Sequence, residues 1–253
     1  SLTVGTQAQL TPESFANCYN LTYVDLKDSM AFEIPDSCFN SCSSLTTVLL
    51  PTYMNRIGSY AFSSCASLQS IDLPAGASIG AYAFAYCHNL ERVVLNEGVS
   101  FDYSNNYAFG DCFNLFEVYN LAGLDLSDAY STGHVAAYAL KVYDSASAAS
   151  QVTKFKDDQG FKYALCDGQA HLYGFEASEY PSYYYIDNTV SFNNNTYPCS
   201  IRYVAFNSLP WGANLVVSKR IVFDDSNYKC FGNSPNIYYR GTQSDWEENV
   251  GSS

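Results

Sequence analysis

The 253-residue chain carries 12 lysines and arginines against 25 aspartates and glutamates, a net charge of −13. Its basic residues are scattered singly, which excludes the basic face that nucleic acid or an anionic membrane surface requires, and no run approaches the ~18 apolar residues of a membrane helix. With 47% apolar but only 15% charged residues, and with 23 tyrosines, the composition predicts a strand-rich globular chain faced with Ser, Thr, Asn and Tyr.

The opening Ser1-Leu2-Thr3-Val4-Gly5 has neither the basic nor the apolar region of a signal peptide. The first repeat begins without a polar cap, so the expectation is a segment of a protein that extends further N-terminally. From there a repeat sets in. Phe15, Phe39, Phe62, Phe84 and Phe109 follow one another at intervals of 24, 23, 22 and 25 residues. Each is followed three residues later by Cys18, Cys42, Cys65, Cys87 and Cys112, and six residues later by Leu21, Leu45, Leu68, Leu90 and Leu115. A spacing of three is that of a short helical or 3₁₀ turn facing a core. The segment after it changes period. In Leu68-Gln69-Ser70-Ile71-Asp72-Leu73 the apolar residues alternate, as a half-buried strand demands, and Pro74 ends it. One turn plus one strand makes a coil that cannot bury its own apolar face, so copies must stack into a solenoid.

This pattern resembles the BspA-like leucine-rich repeats, whose unit reads approximately I-G-x-x-A-F-x-x-C-x-x-L-x-x-I-x-L-P. Ile57 to Pro74 matches throughout; the units at Phe15 and Phe39 lack the Ile-Gly and the Ala before Phe. The resemblance implies a strand-rich α/β repeat solenoid, a right-handed superhelix with one short strand and one short helical or 3₁₀ turn per coil. It also implies a non-enzymatic module, exported to a cell surface, that binds a protein of a host or neighbouring cell without cofactor or metal.

Further along, Leu140 is expected to fill the Phe column of a degenerate unit. Residues 1–146 thus form a first array, and 147–253 a hairpin, a second, degenerate array and a C-terminal cap, with the two arrays one continuous solenoid of about eight coils. The hairpin is read across Asp167-Gly168. The second array restarts at Tyr197–Phe206 and continues at Cys230-Phe231, with Leu209 and Ser234 in place of Cys.

Nine cysteines leave at least one thiol unpaired within the chain. The column cysteines are read as small buried hydrophobes rather than disulfides or a metal ladder. His88, His134 and His171 sit in no catalytic motif, and the carboxylate pairs Asp157-Asp158, Asp224-Asp225 and Glu247-Glu248 read as solvated loop charges. Asp224-Asp225-Ser226-Asn227 lacks the Gly and distal Glu of a calcium loop. What remains is the outward strand face. Tyr23, Leu49, Val94, Phe116 and Tyr119 form an apolar patch there, expected either to be exposed for a partner or to be covered by a neighbouring loop or the second array. The alternative is carbohydrate binding on Tyr184, Trp211 and Trp246.

Overall fold

The computed structural model describes residues 1–5, 9–102, 106–177, 180–202, 205–206, 208–223 and 236–250. They fall into two compact units, Ser1–Ser150 and Gln151–Ser253.

The strands of the first unit are β1 (Leu2–Thr3), β2 (Tyr23–Asp25), β3 (Glu33–Ile34), β4 (Thr47–Leu49), β5 (Arg56–Ile57), β6 (Ser70–Leu73), β7 (Ser78–Ile79), β8 (Arg92–Leu95), β9 (Ser100–Phe101), β10 (Glu117–Asn120) and β11 (Lys141–Tyr143). All pairings among them are parallel, as stacked coils require. One flank of the coil carries β1-β2-β4 and β6-β8-β10-β11; a second flank carries the shorter β3-β5-β7-β9. Alternation decides what faces inward. Ile71, Val93 and Val118 are register partners in the core, whereas Ser70 and Asp72 beside Ile71 are exposed.

The turn after each column Phe is neither an α-helix nor a 3₁₀-helix, contrary to the three-residue spacing. Residues two before and two after the Phe take positive φ, as Tyr60 (58°) and Ser64 (60°) do around Phe62, and left-handed residues break a right-handed run. Hydrogen bonding then alternates strictly. The N–H groups of Ala61, Ser63 and Cys65 donate within the turn to Gly58, Tyr60 and Phe62, while those of Tyr60, Phe62 and Ser64 donate to Ala81, Ala83 and Ala85 of the next coil. Every backbone donor from 60 to 65 is thereby satisfied.

The core is a continuous stack. The rings of Phe15, Phe39, Phe62, Phe84 and Phe109 lie nearly parallel, with centroids 5.1 to 5.4 Å apart. Leu45, Leu68, Leu90 and Leu115 are fully buried beside them. Phe15, Cys18 and Leu21 in the first coil are only half-buried, with Phe15 stacked on Phe39 on one side.

Two columns differ from the sequence reading. Ile34 pairs in register with Ile57, so the leading Ile persists in the second coil with Pro35 at the Gly position. Val135 is the fully buried core residue of the degenerate unit; half-buried Leu140 instead donates its N–H to Phe116 just before β11. Glycine at 58 and 80 is steric, since a Cβ on Gly80 would lie 2.6 Å from the Ser59 nitrogen of the preceding coil. Spacing is rigid in one part of the coil and free in another. From each column Phe to the next strand is 8 positions in all five coils (15 to 23, 39 to 47, 62 to 70, 84 to 92, 109 to 117). The connection between the two flanks shortens from 7 residues (26–32) to 6 (50–55) to 4 (74–77 and 96–99).

In the second unit β12 (Thr153–Lys156), β13 (Phe161–Cys166) and β14 (Gln169–Phe175) form an antiparallel meander. Its second turn is Asp167-Gly168, with φ of 49° and 82°, the two left-handed residues a tight hairpin needs. Then follow β15 (Tyr184–Ile186), β16 (Thr189–Phe192), β17 (Asn195–Ile201), β18 (Asn214–Val217), β19 (Val222–Phe223), β20 (Asn236–Tyr239) and α1 (Gln243–Val250). Tyr197–Ile201, expected to restart the repeat, lies in β17, which pairs antiparallel with β16 and parallel with β14. The turn that follows keeps the repeat's chemistry: Ala205, Phe206 and Leu209 are buried, and the Leu209 N–H donates to Phe206. β15, β18 and β20 make a parallel sheet. Cys230, Phe231, Ser234 and the Asp224–Asn227 segment lie outside the described residues.

Candidate functional site

The outward strand face of the first unit is open at one end and covered at the other. Tyr23 and Leu49 are half-buried in adjacent coils, flanked by Asp25 and Thr47. Tyr23 donates its phenol to Asp25 Oδ2 at 3.1 Å; desolvation and that carboxylate together push the phenol above its ordinary value. Val94, Phe116 and Tyr119, candidates for contact with a partner, are instead buried at 6, 2 and 5% exposure. The chain covers them itself. Tyr143 of β11 stacks on Tyr119 at 4.6 Å, and Leu121 and Ala148 close over Val94 and Tyr119 as a satellite cluster. The Arg92 guanidinium sits 4.8 Å from the Tyr119 centroid and pairs with Asp72 at 2.9 Å. The Tyr143 hydroxyl donates to Glu117 Oε1 at 2.6 Å. Alternation placed these side chains outward correctly but is silent on what lies over them.

Of the carbohydrate candidates, Tyr184 is corrected. It is 1% exposed and packs edge-on against Phe161 and Phe175 in the core of the second unit. Trp211 is 89% exposed, and Trp246 is half-buried against Tyr239 with rings 5.1 Å apart.

Sequence reasoning missed an aromatic ladder on the turn side. Tyr60, Tyr82 and Tyr107 stack at 5.1 and 5.9 Å, and His134 continues the row 4.2 Å from Tyr107. Between this row and Tyr86 and Tyr138 lies a cavity of about 230 Å³. Burial holds the His134 imidazole below its ordinary value against the opposing pull of Asp111 and Asp128. The signal was present as a Tyr two residues before each of three successive column Phe residues. A wider cleft of about 530 Å³ in the second unit is lined by Asp157, Asp158, Glu176 and Tyr180 among others. Asp157 is occupied structurally there, accepting N–H bonds from Gln159 and Phe161 and the Tyr163 hydroxyl.

The column thiols are structural. Cys42, Cys65, Cys87 and Cys112 are fully buried, and each donates to the carbonyl of the column Phe of the preceding coil at 3.2 to 3.3 Å. Burial pushes the Cys42 thiol up to about 11 and Cys112 up to about 12, and raises Cys65 and Cys87 as well. Cys38 is also buried and raised, and the described cysteines are all free. Among the described residues no group of three or more His, Cys, Asp or Glu converges as a metal site, and no helix is long and apolar enough to cross a membrane.

Parallel strands in register, a stacked Phe-Cys-Leu core and a constant distance from column Phe to strand define a leucine-rich-repeat solenoid in the first unit. Residues 8–126 match the BspA type leucine rich repeat region in six copies, and this part of the chain is a BspA-type array. Three crystal structures resemble the chain. A leucine-rich repeat protein from Bacteroides ovatus ATCC 8483 is 33% identical over 46% of this chain and 30% of its own, with a TM-score of 0.41. The T. pallidum Leucine Rich Repeat protein is 25% identical over 56% of this chain and 68% of its own, at 0.44. A leucine rich cell surface protein from Faecalibacterium prausnitzii A2-165 is 15% identical over 100% and 90%, at 0.37. The chain thus spans less than a third of the Bacteroides ovatus structure. No curated protein matches it.

Proposed function

We propose that the chain is a non-enzymatic binding module at or outside a cell surface, which docks a protein of a host or neighbouring cell on the open end of its strand face. Repeat solenoids of this kind generally act as scaffolds for protein interaction, because stacked strands present one extended surface. One observation carries the reading: Tyr23 and Leu49 stand part-exposed on adjacent parallel strands, diagonal to one another, with Tyr23 opposite Thr47 and Leu49 opposite Asp25. Val94, Phe116 and Tyr119 serve that face as a packed floor rather than as contacts. Asp25, Asp72 and Arg92 supply its polar rim. An oxidising exterior suits the protein, since fully buried thiols with raised pKa are poor nucleophiles and resist oxidation.

A photo-cross-linking amino acid placed at Leu49, and separately at Tyr86 on the turn side, tests the surface against an array of extracellular-matrix and cell-surface proteins. Adducts are expected from Leu49 only, displaced by excess unlabelled protein but not by its Leu49→Asp variant. Equal yields from both positions, or none from Leu49, refute the reading. Protection of the chain on intact cells from an added protease would refute the location.

A further inference from the structure

On the turn side of the first unit, the position after the column Phe carries no more than a methyl group in two successive coils, at Ala85 and Gly110. Two residues before the Phe stand Tyr82 and Tyr107, and two after it Tyr86 and Asp111. Bonds between coils hold these rows in step: the Tyr86 N–H donates to the Gly110 carbonyl at 2.9 Å and the Phe84 N–H to the Ala108 carbonyl at 2.7 Å. Small residues between two rows of large ones leave the rows apart. The cavity of about 230 Å³ is the space they leave, with His134 and Tyr138 of the next coil also lining it.

The polar part of this lining is short of donors. Asp111 is half-buried, and no lysine or arginine lines the space beside it. Its charge reaches Tyr107 and His134, yet among the described residues no hydrogen bond or ion pair engages the carboxylate. Burial holds the His134 imidazole below its ordinary value, so it is neutral at pH 7 and offers an acceptor nitrogen. Its buried Nε2 has no hydrogen-bond partner among the described residues, which is uncommon for a buried polar atom in a folded chain. The tyrosines are already engaged as rings. Tyr82 and Tyr107 are stacked within the ladder, and Tyr86 and Tyr138 meet His88 and Phe113 edge-on at 6.4 and 5.1 Å. They serve the cavity as apolar walls.

We propose that this cavity binds a small free primary ammonium ion, a short alkylamine. The volume lies below the roughly 300 to 1,000 Å³ of pockets that take drug-sized ligands, so the ligand is small. A carboxylate without a counter-ion, in a chain of net charge −13, attracts a cation. A primary ammonium carries three N–H donors and no acceptor, which answers a carboxylate and a neutral imidazole together. A quaternary ammonium has no donor to offer either. The alkyl stem of the ligand packs against the tyrosine walls, as a lysine stem does on an apolar surface. This site lies on the turn side, not on the strand face, and its ligand is a small molecule rather than a protein.

The experiment is titration calorimetry of the full chain at pH 7 with n-butylammonium, against 1-butanol, butyrate, tetramethylammonium and Nα-acetyl-lysine-N-methylamide. The n-butylammonium ion is expected to bind about tenfold or more tighter than the first three, and tighter than the lysine amide. Asp111→Asn keeps the side-chain shape at a φ of 59° that Asn tolerates; it should weaken binding about tenfold or more, the scale of a lost charge-assisted hydrogen bond. His134→Phe keeps a ring against Tyr107 but removes the acceptor, and should weaken binding about threefold or more. Leu49→Asp should stay within about twofold. No binding of n-butylammonium, equal affinity for 1-butanol, butyrate or tetramethylammonium, binding of the lysine amide as tight or tighter, or unchanged affinity in Asp111→Asn would each overturn the proposal. The ligand series on the parent chain decides even where a variant fails to fold. Because Leu49→Asp reports on the strand face, the two proposals fail independently.

Discussion

Truncating Phe62 removes the middle ring of the five-membered stack. The side chain is fully buried, with neighbouring centroids 5.2 Å away at Phe39 and 5.3 Å at Phe84. Core Phe→Ala changes cost about 3 to 5 kcal/mol, and each aromatic pair adds about 0.5 to 1.5 kcal/mol beyond area. Losing two pairs places Phe62→Ala at the upper end, about 4 to 5 kcal/mol. Phe15 is half-buried and stacks on Phe39, so Phe15→Ala loses one pair and less burial, about 2 to 3 kcal/mol. In a solenoid, stability sums over nearest-neighbour interfaces; the interior truncation weakens two and the Phe15 truncation one. Urea unfolding of the full chain, followed by far-ultraviolet circular dichroism, measures both against Ser63→Ala, which should stay within about 0.5 kcal/mol. Equal losses at Phe15 and Phe62, or a Ser63→Ala cost as large as either, would refute the stacked-column account.

With a neutral alkylating reagent at pH 8, the half-buried Cys18 should be labelled in the native chain ahead of Cys42, Cys65, Cys87 and Cys112, which react only after denaturation; rapid native labelling of all five would contradict the burial. Folded-state pKa values raised from 9.0 to about 11 at Cys42 and about 12 at Cys112 mean that the native state holds protons the unfolded state has released. Their contribution is therefore full below pH 9 and lost as pH rises through 11 to 12, which pH-dependent urea midpoints would show as a difference between the parent and Cys112→Ala that is constant below pH 9 and shrinks as pH rises towards 12. Two glycines separate steric from conformational cost. Gly168→Ala has open space but a φ of 82° and should lose about 1 kcal/mol, whereas Gly80→Ala must displace the preceding coil's backbone and should lose more than about 2 kcal/mol; the reverse order in thermal unfolding would refute the assignment.

The column residues were legible because five copies multiply a signal that one copy leaves ambiguous. Phe, Cys and Leu fall at fixed offsets, and the core is built from them. The turn conformation was not legible. The left-handed positions around the Phe residues hold Glu13, Asn17, Ser37, Tyr60, Tyr82 and Asp111 among others, so no residue type marks them; bonding between coils imposes the geometry. The strand face was half legible. Alternation gave the outward direction of Val94 and Tyr119, but their cover comes from Leu121, Tyr143 and Ala148, which alternation within a strand does not link to them. The run Tyr183-Tyr184-Tyr185 carries no internal parity, and only pairing with β18 sends Tyr184 inward and Tyr185 outward.

The fixed distance from column Phe to strand, set against connections of 7, 6 and 4 residues between the flanks, separates the part of the coil that keeps phase from the part that tolerates length. A peptide inserted after Met30, which is exposed, would enlarge an exterior bend and leave every ring above and below in step. The same peptide inserted between Phe62 and Ser70 would throw the following strands out of phase and strand the Cys65 thiol from its acceptor. The molecule thus carries its own display site, at the corner where 26–32 turns from one flank to the other, for epitopes, tags or reporters that must be presented without disturbing the stacked core.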